Sequence, residues 1–169
     1  IFIPKIQRDY VQYRKSNEAN LNGLLEKLVV ALKENKEINL NFIYGYCEKT
    51  KINPNTDSEN ILNVFIPIDG QQRLTTLFLL YWYAAKKNKV EASKYSFLNK
   101  FSYETRYSAR DFCHFLIDFA PEFNCKISDE IIEQNWFPLD WKKDPTINSM
   151  LVMLDSIDEK FKDIPNLWG

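Results

Sequence analysis

The densest concentration of chemically useful side chains lies in Asp69-Gly70-Gln71-Gln72-Arg73-Leu74-Thr75-Thr76. It stands between two apolar runs, Val64-Phe65-Ile66-Pro67-Ile68 before it and Leu77-Phe78-Leu79-Leu80-Tyr81-Trp82-Tyr83 after it. Polar residues crowded between such segments do not fill a core. The order reads as strand, tight turn, helix, with the polar cluster at the helix N-terminus. Backbone N–H groups there lack intrahelical acceptors, and the helix dipole favours negative charge. Gly70 lets the chain turn sharply, and Arg73 can make forked hydrogen bonds to phosphate oxygens. Thr75 and Thr76 can cap the helix or touch an anion or a metal-bound water. Asp69 would repel a phosphate directly, so its functional use would be to bind a metal ion such as Mg²⁺ or to orient a water. The bland alternative is a capped helix start with its Gln and Arg side chains in solvent.

Two further polar groups invite the same question. Gln7-Arg8-Asp9-Tyr10 offers an amide, a fork donor, a carboxylate and a stackable ring within one short stretch. In an extended chain Gln7 and Asp9 face one side while Arg8 and Tyr10 face the other; an ordinary exposed edge strand would look the same. Tyr103-Glu104-Thr105-Arg106-Tyr107-Ser108-Ala109-Arg110-Asp111 carries two arginines, Arg106 and Arg110, that can converge on one anion or sit on the surface balanced by Glu104 and Asp111. His114, among Phe112, Cys113, Phe115 and Leu116, reads as a packed histidine. Cys113 and Cys125 lack a neighbouring base that would mark an activated nucleophile. The Trp136/Trp141 region reads as core packing. No Walker A string and no two-metal ligand array is present.

The elements that must position these groups follow from periodicity. Ser16 or Asn17 caps a helix running to about Asn35, with Leu21, Leu24, Leu25, Leu28, Val29 and Leu32 as its buried face; Gly23 costs it about 1 kcal/mol against Ala. Ile1 to Tyr10 reads as an extended segment or edge strand because Pro4 disfavours a helix. Leu40–Cys47 and Val64–Ile68 read as antiparallel strands around a solvated loop from Glu48 to Asn60, with Gly45 permitting a bulge or a close backbone approach. A buried helix then runs from Leu74 to about Lys87. A strand is expected over Phe97–Thr105, and helices from Tyr107 or Ser108 to about Phe119, near Asp129–Asn135, and from Asp144-Pro145-Thr146 to about Lys162. The layout is α+β, strand-rich at first and helical afterwards.

The chain has 169 residues, 45% hydrophobic and 15% aromatic, enough for one domain with a sizeable core. Its 22 Lys and Arg against 23 Asp and Glu give a net charge of -1, which excludes a strongly basic body that grips DNA by bulk electrostatics. Three cysteines without CxxC spacing and a single His argue against a zinc site and for a reducing, cytoplasmic setting. No apolar run approaches the roughly 20 residues that cross a bilayer. The chain opens on Ile1 and stops at Trp168-Gly169, and is expected to be a fragment of a longer protein.

Ile3-Pro4-x-x-Gln7-Arg8-x-Tyr10 together with Asp69-Gly70-Gln71-Gln72-Arg73-Leu74-Thr75-Thr76 closely resembles the two signature motifs of the family called domain of unknown function 262, the DGQQR-motif proteins. Phe101 to Phe112 and Asp144 to Leu154 also look like this family, so the resemblance covers almost the whole chain. The resemblance implies a ParB/sulfiredoxin-like core over residues 1–90, with a small mixed or antiparallel sheet, and a C-terminal helical extension of the same domain over 91–169. It implies a nucleotide-binding and NTP-hydrolysing module, with NTP and Mg²⁺ as the bound species, such as forms the N-terminal part of GmrSD-type modification-dependent restriction proteins of phage defence. A C-terminal nuclease domain and, through the full-length protein, DNA are the implied partners; no membrane is involved. Asp69, Gly70, Gln71, Gln72 and Arg73 take the NTP role by resemblance, and Gln7, Arg8 and Tyr10 are expected to line the same pocket, with Thr75, Arg106 and Arg110 as further phosphate contacts. Nuclease chemistry is not expected of this stretch itself. A DNA-binding or modification-sensing module, or a nuclease domain proper, using the same pocket on backbone phosphates is the rival reading.

Overall fold

The computed structural model describes residues 1–4, 18–51, 61–104 and 106–168. In chain order these form β1 (Phe2–Ile3), α1 (Glu18–Glu34), β2 (Tyr44–Lys51), β3 (Ile61–Asp69), α2 (Gln71–Lys87), a 3₁₀ segment (Ala92–Lys100), β4 (Ser102–Tyr103), α3 (Tyr107–Asp118), α4 (Ile127–Ile132), a second 3₁₀ turn (Leu139–Lys143) and α5 (Pro145–Phe161). The fold is α+β, as expected. Among the described residues its strands form two separate pairs. β2 and β3 are antiparallel, with Tyr44 opposite Asp69 and Tyr46 opposite Ile66; β1 and β4 are parallel, with Phe2 opposite Ser102 and Ile3 opposite Tyr103. Ser16 and Asn17, the expected caps of α1, lie outside the described residues.

The core is helical. α5 packs against α1, α2, α3 and α4, and buries Ile147, Met150, Leu154, Ile157 and Phe161 completely. α2 contributes Phe78, Leu79, Trp82, Tyr83, Ala84 and Ala85. Each fully buried large apolar side chain contributes about 1.5–3 kcal/mol over its exposed state. The two largest buried rings of α2 keep their polar ends satisfied. Trp82 donates through Nε1 to the Leu116 carbonyl at 2.6 Å, and the Tyr83 hydroxyl donates to Asp158 Oδ1 at 2.8 Å. Burial, followed by that bond and the charge of Asp158, pushes the Tyr83 hydroxyl well above its ordinary pKa. α5 starts where its sequence says it should: Pro145 occupies the first turn, and the Asp144 side chain accepts from the N–H groups of Thr146 and Ile147. Ser108 of α3 donates to the other carboxylate oxygen at 2.5 Å, so one side chain joins two helix starts.

Three expectations are corrected. Leu40–Ile43 is not strand; β2 starts at Tyr44 and runs on to Lys51. The carbonyls of Leu40 and Phe42 are turned to a side chain, Arg73, and Asn41 is left-handed at φ 65°, so the segment cannot join the ladder. The strand expected over Phe97–Thr105 is a 3₁₀ segment followed by the two-residue β4. Tyr95, at a kink in the segment, Leu98, and Phe101 just past its end are buried at a spacing of three rather than the strand's two. His114 is exposed, because α3 buries Ala109, Phe112, Cys113, Leu116 and Ile117 and turns position 114 outward. Gly45 does occupy a close approach: the ladder shifts register between Tyr44 and Gly45, and a Cβ on Gly45 would run into the Ile66 carbonyl.

Asp144→Ala removes the cap of α5 and the tie to α3, and is expected to lower stability by about 1–2 kcal/mol in chemical denaturation. Burial pushes the Cys113 thiol far up and encloses it, whereas Cys47 and Cys125 are exposed. Native protein should therefore alkylate at Cys47 and Cys125, with Cys113 reacting only once the chain unfolds, as peptide mass mapping would show.

Candidate functional site at the Asp69 turn

The strand–turn–helix read from the sequence is present, and the helix starts earlier than Leu74, at Gln71. β3 ends at Asp69, Gly70 reverses the chain at φ 83° and ψ 7°, and α2 begins directly. Two facts require glycine here. The left-handed conformation costs other residues about 1–2 kcal/mol, and a Cβ on Gly70 would stand 2.7 Å from Ile43 Cγ1. Gly70 brings no side chain to cap α2, and the first turn of the helix holds no acidic residue. That combination leaves the positive end of the dipole uncompensated by any cap at Gly70 or carboxylate within the first turn.

The side chains of the turn divide into framework and display. Gln71 donates through Nε2 to the Pro67 carbonyl at 2.8 Å, tying the helix back to β3. Arg73, mostly enclosed, spreads its fork over three acceptors: Nη1 donates to the Leu40 carbonyl at 2.6 Å, and Nη2 to the Phe42 carbonyl at 2.7 Å and to Asp69 Oδ2 at 3.3 Å. The planar guanidinium suits this task, which a lysine ammonium could not reproduce. Thr75 is fully buried; its hydroxyl donates to the Gln71 carbonyl at 3.1 Å and shares a hydrogen bond of 3.0 Å with the Tyr103 hydroxyl. Thr75 therefore faces the interior, away from any ligand in solvent. Thr76, equally buried, donates to the Gln72 carbonyl. Gln72 is half-buried in the first turn of α2. Asp69 is the displayed group, with its side chain 58% exposed.

The third polar stretch reaches this region through Tyr103, which couples β4 to Thr75 in the second turn of α2. Arg106 stands at the N-cap position of α3 and donates through Nη1 to Thr146 Oγ1 in the first turn of α5, at 3.0 Å. Arg110, one turn further on, lies with its guanidinium 4.8 Å from the centre of the Tyr107 ring and pairs with Asp111 at 3.1 Å. Thr146 is thus a partner of Arg106, and Tyr107 and Asp111 are partners of Arg110. Gln7, Arg8 and Tyr10 lie outside the described residues; β1, which leads to them, pairs with β4 beside Tyr103.

Sequence reasoning missed the part played by residues 39–42. Asn39 Oδ1 accepts from the Asn41 N–H at 2.8 Å, and the carbonyls on either side of Asn41, those of Leu40 and Phe42, receive Arg73. The signal was the spacing Asn39-Leu40-Asn41, since asparagine side chains fold back on nearby backbone and tolerate left-handed φ.

Mg²⁺ demands six oxygen ligands and is commonly held by one or two carboxylates plus phosphates and waters. Among the described residues no group of three or more His, Cys, Asp or Glu side chains could hold a metal ion. Asp69 alone, half shared with Arg73, fits an ion that arrives with a polyphosphate and does not make a metal site by itself.

A helix-and-hairpin α+β domain that displays a carboxylate at an αL glycine turn, backed by a partly enclosed arginine fork, defines the class. The chain belongs to the family of GmrSD restriction endonuclease N-terminal domains, whose family model matches residues 1–166. Comparison with curated proteins and with solved structures finds no match. No helix among the described residues is long and apolar enough to cross a membrane.

Gly70→Ala is expected to destabilise the protein by about 1–3 kcal/mol through the left-handed backbone and the contact with Ile43. A thermal melt checks it, and an unchanged midpoint would contradict the geometry of the turn.

Proposed function

We propose that this chain is an NTP-binding and NTP-hydrolysing regulatory domain of a modification-dependent restriction protein that acts in phage defence. The observation that carries the reading is the coincidence of the DGQQR string with an uncapped helix start and an exposed aspartate, in a chain of the GmrSD N-terminal family. The first-turn amides of α2 supply positive potential for phosphates, and Arg73 stiffens the turn while keeping its charge beside Asp69. Arg8 of the first motif adds a second guanidinium by resemblance. Asp69 would hold the Mg²⁺ that accompanies the triphosphate or orient the attacking water, and Gln72, or Gln71 through its carboxamide oxygen, would hold that water. Water attacks the γ-phosphorus, the bond from that phosphorus to the β–γ bridging oxygen breaks, and the products are nucleoside diphosphate, inorganic phosphate and a proton. DNA and a nuclease domain enter as partners of the full-length protein, and the hydrolytic cycle would license that nuclease.

The test is calorimetric titration of the protein with Mg²⁺ and each nucleoside triphosphate, beside titration with duplex DNA at several salt concentrations. Saturable NTP binding, weakened at least tenfold by Asp69→Asn only when Mg²⁺ is present, is the expected result. A salt-steep DNA response without NTP affinity would overturn it in favour of a DNA-sensing module.

A further inference from the structure

The proposed seat accounts for phosphates and leaves the base of the nucleotide unassigned. Beside it lie exposed aromatic side chains of the connector and the hairpin. Phe42 is 87% exposed, Tyr44 58% and Tyr46 51%, with Ile68 at 59% between the hairpin and the turn. Phe42 does not hang from a loose loop. The preceding Asn41 is held by Asn39, and the Phe42 carbonyl itself accepts from Arg73. Tyr44 is the cross-strand partner of Asp69, and paired residues on neighbouring strands share a face. Phe42, through its carbonyl bond to Arg73, and Tyr44, through its pairing with Asp69, are therefore both carried by fixed backbone beside the Asp69–Arg73 pair.

Phe42 and Tyr44, exposed beside the turn, offer apolar area that a covering group would remove from water. The covering group must present a flat π-face, and it must tolerate a guanidinium and a carboxylate as immediate neighbours. A nucleobase attached to a Mg²⁺-bearing polyphosphate has both properties. We infer that Phe42 and Tyr44 form the platform on which the base of the nucleoside triphosphate stacks. This rests on reading the Asp69 turn as the phosphate seat. Stacking on rings is tolerant of base identity and grows with ring area, so purine nucleotides bind more tightly than pyrimidine ones, while adenine and guanine are separated little by this platform.

The experiment compares a purine nucleoside triphosphate with inorganic tripolyphosphate, each with Mg²⁺, on the full chain and on Phe42→Ala, Tyr44→Ala and Tyr44→Phe. Both positions are exposed, so unchanged melting temperatures are expected and confirm folding. Each alanine variant should lose about five- to hundredfold in nucleotide affinity, keep its tripolyphosphate affinity within twofold, and Tyr44→Phe should bind as the parent does. Equal affinity of the parent for nucleotide and tripolyphosphate would overturn the platform alone, as would alanine variants that bind nucleotide normally, the latter assigning the face to a protein partner. A parent that binds neither ligand would sink the phosphate seat and the platform with it.

Discussion

The helix that begins at Gln71 must bury most of its length while keeping its first turn at the surface, and the rest of the molecule is arranged around that demand. Phe78, Leu79, Trp82 and Tyr83 are almost wholly enclosed, so α2 cannot shift without disturbing the packing against α5. Truncating one such side chain costs about 2–5 kcal/mol. The polar ends of Trp82 and Tyr83 fix rotation as well as depth, because each reaches one acceptor on a different helix. Thr75 and Thr76 complete the transition from core to surface. Their hydroxyls return to carbonyls one turn back, so buried oxygen atoms are satisfied where the helix leaves the interior. The position of Asp69 is thus inherited from the core rather than built at the surface.

Arg73 shows which of its contacts matters. Its pairing with Asp69 spans 3.3 Å to a carboxylate more than half exposed, and exposed pairs of this kind contribute about 0–1 kcal/mol. Its bonds to the carbonyls of Leu40 and Phe42 are shorter and charge-assisted, a class worth about 1.5–3 kcal/mol each. The guanidinium is held mainly by the connector, and Asp69 receives what remains. The arginine of the motif is accordingly a structural strut that also carries charge to the turn. The motif and the connector from Asn39 to Ile43 form one unit, with Ile43 lying under Gly70 as its apolar contact.

Much of this was legible in the chain. The long helices declared themselves by apolar spacing and by local caps such as Asp144-Pro145, and the turn declared itself by one glycine among polar residues. What failed failed for physical reasons that local pattern does not carry. Leu40–Ile43 has a strand's composition, but its carbonyls are claimed by a side chain 31 to 33 residues away. The aromatic stretch before Ser102 alternates loosely, and only burial at every third residue identifies it as 3₁₀. His114 has apolar neighbours in sequence yet lies on the outward side of α3, where adjacency in the chain says nothing about facing. Thr75 belongs to the motif by spelling and to the core by position, a distinction only the helix phase could draw. Arg106 is likewise drawn to Thr146 by the way α3 and α5 start side by side.

The presence of Asp69 at a proposed phosphate seat resolves through charge. Two unit charges about 4 Å apart repel by about 1 kcal/mol in water and about 4 kcal/mol at the effective dielectric of a protein surface. A triphosphate carries several such charges, so an exposed carboxylate beside it is a net penalty in the absence of a cation. A divalent ion reverses the sign locally, turning the same carboxylate from a repulsive neighbour into one oxygen ligand among phosphates and waters. On the proposed reading the near-neutral chain would need no basic surface to attract a nucleotide, because recognition would be of a metal–polyphosphate pair and not of bare negative charge. Asp69 on this reading acts as a filter: it disfavours free phosphate-rich anions, nucleic-acid backbone included, and admits those that bring their own magnesium.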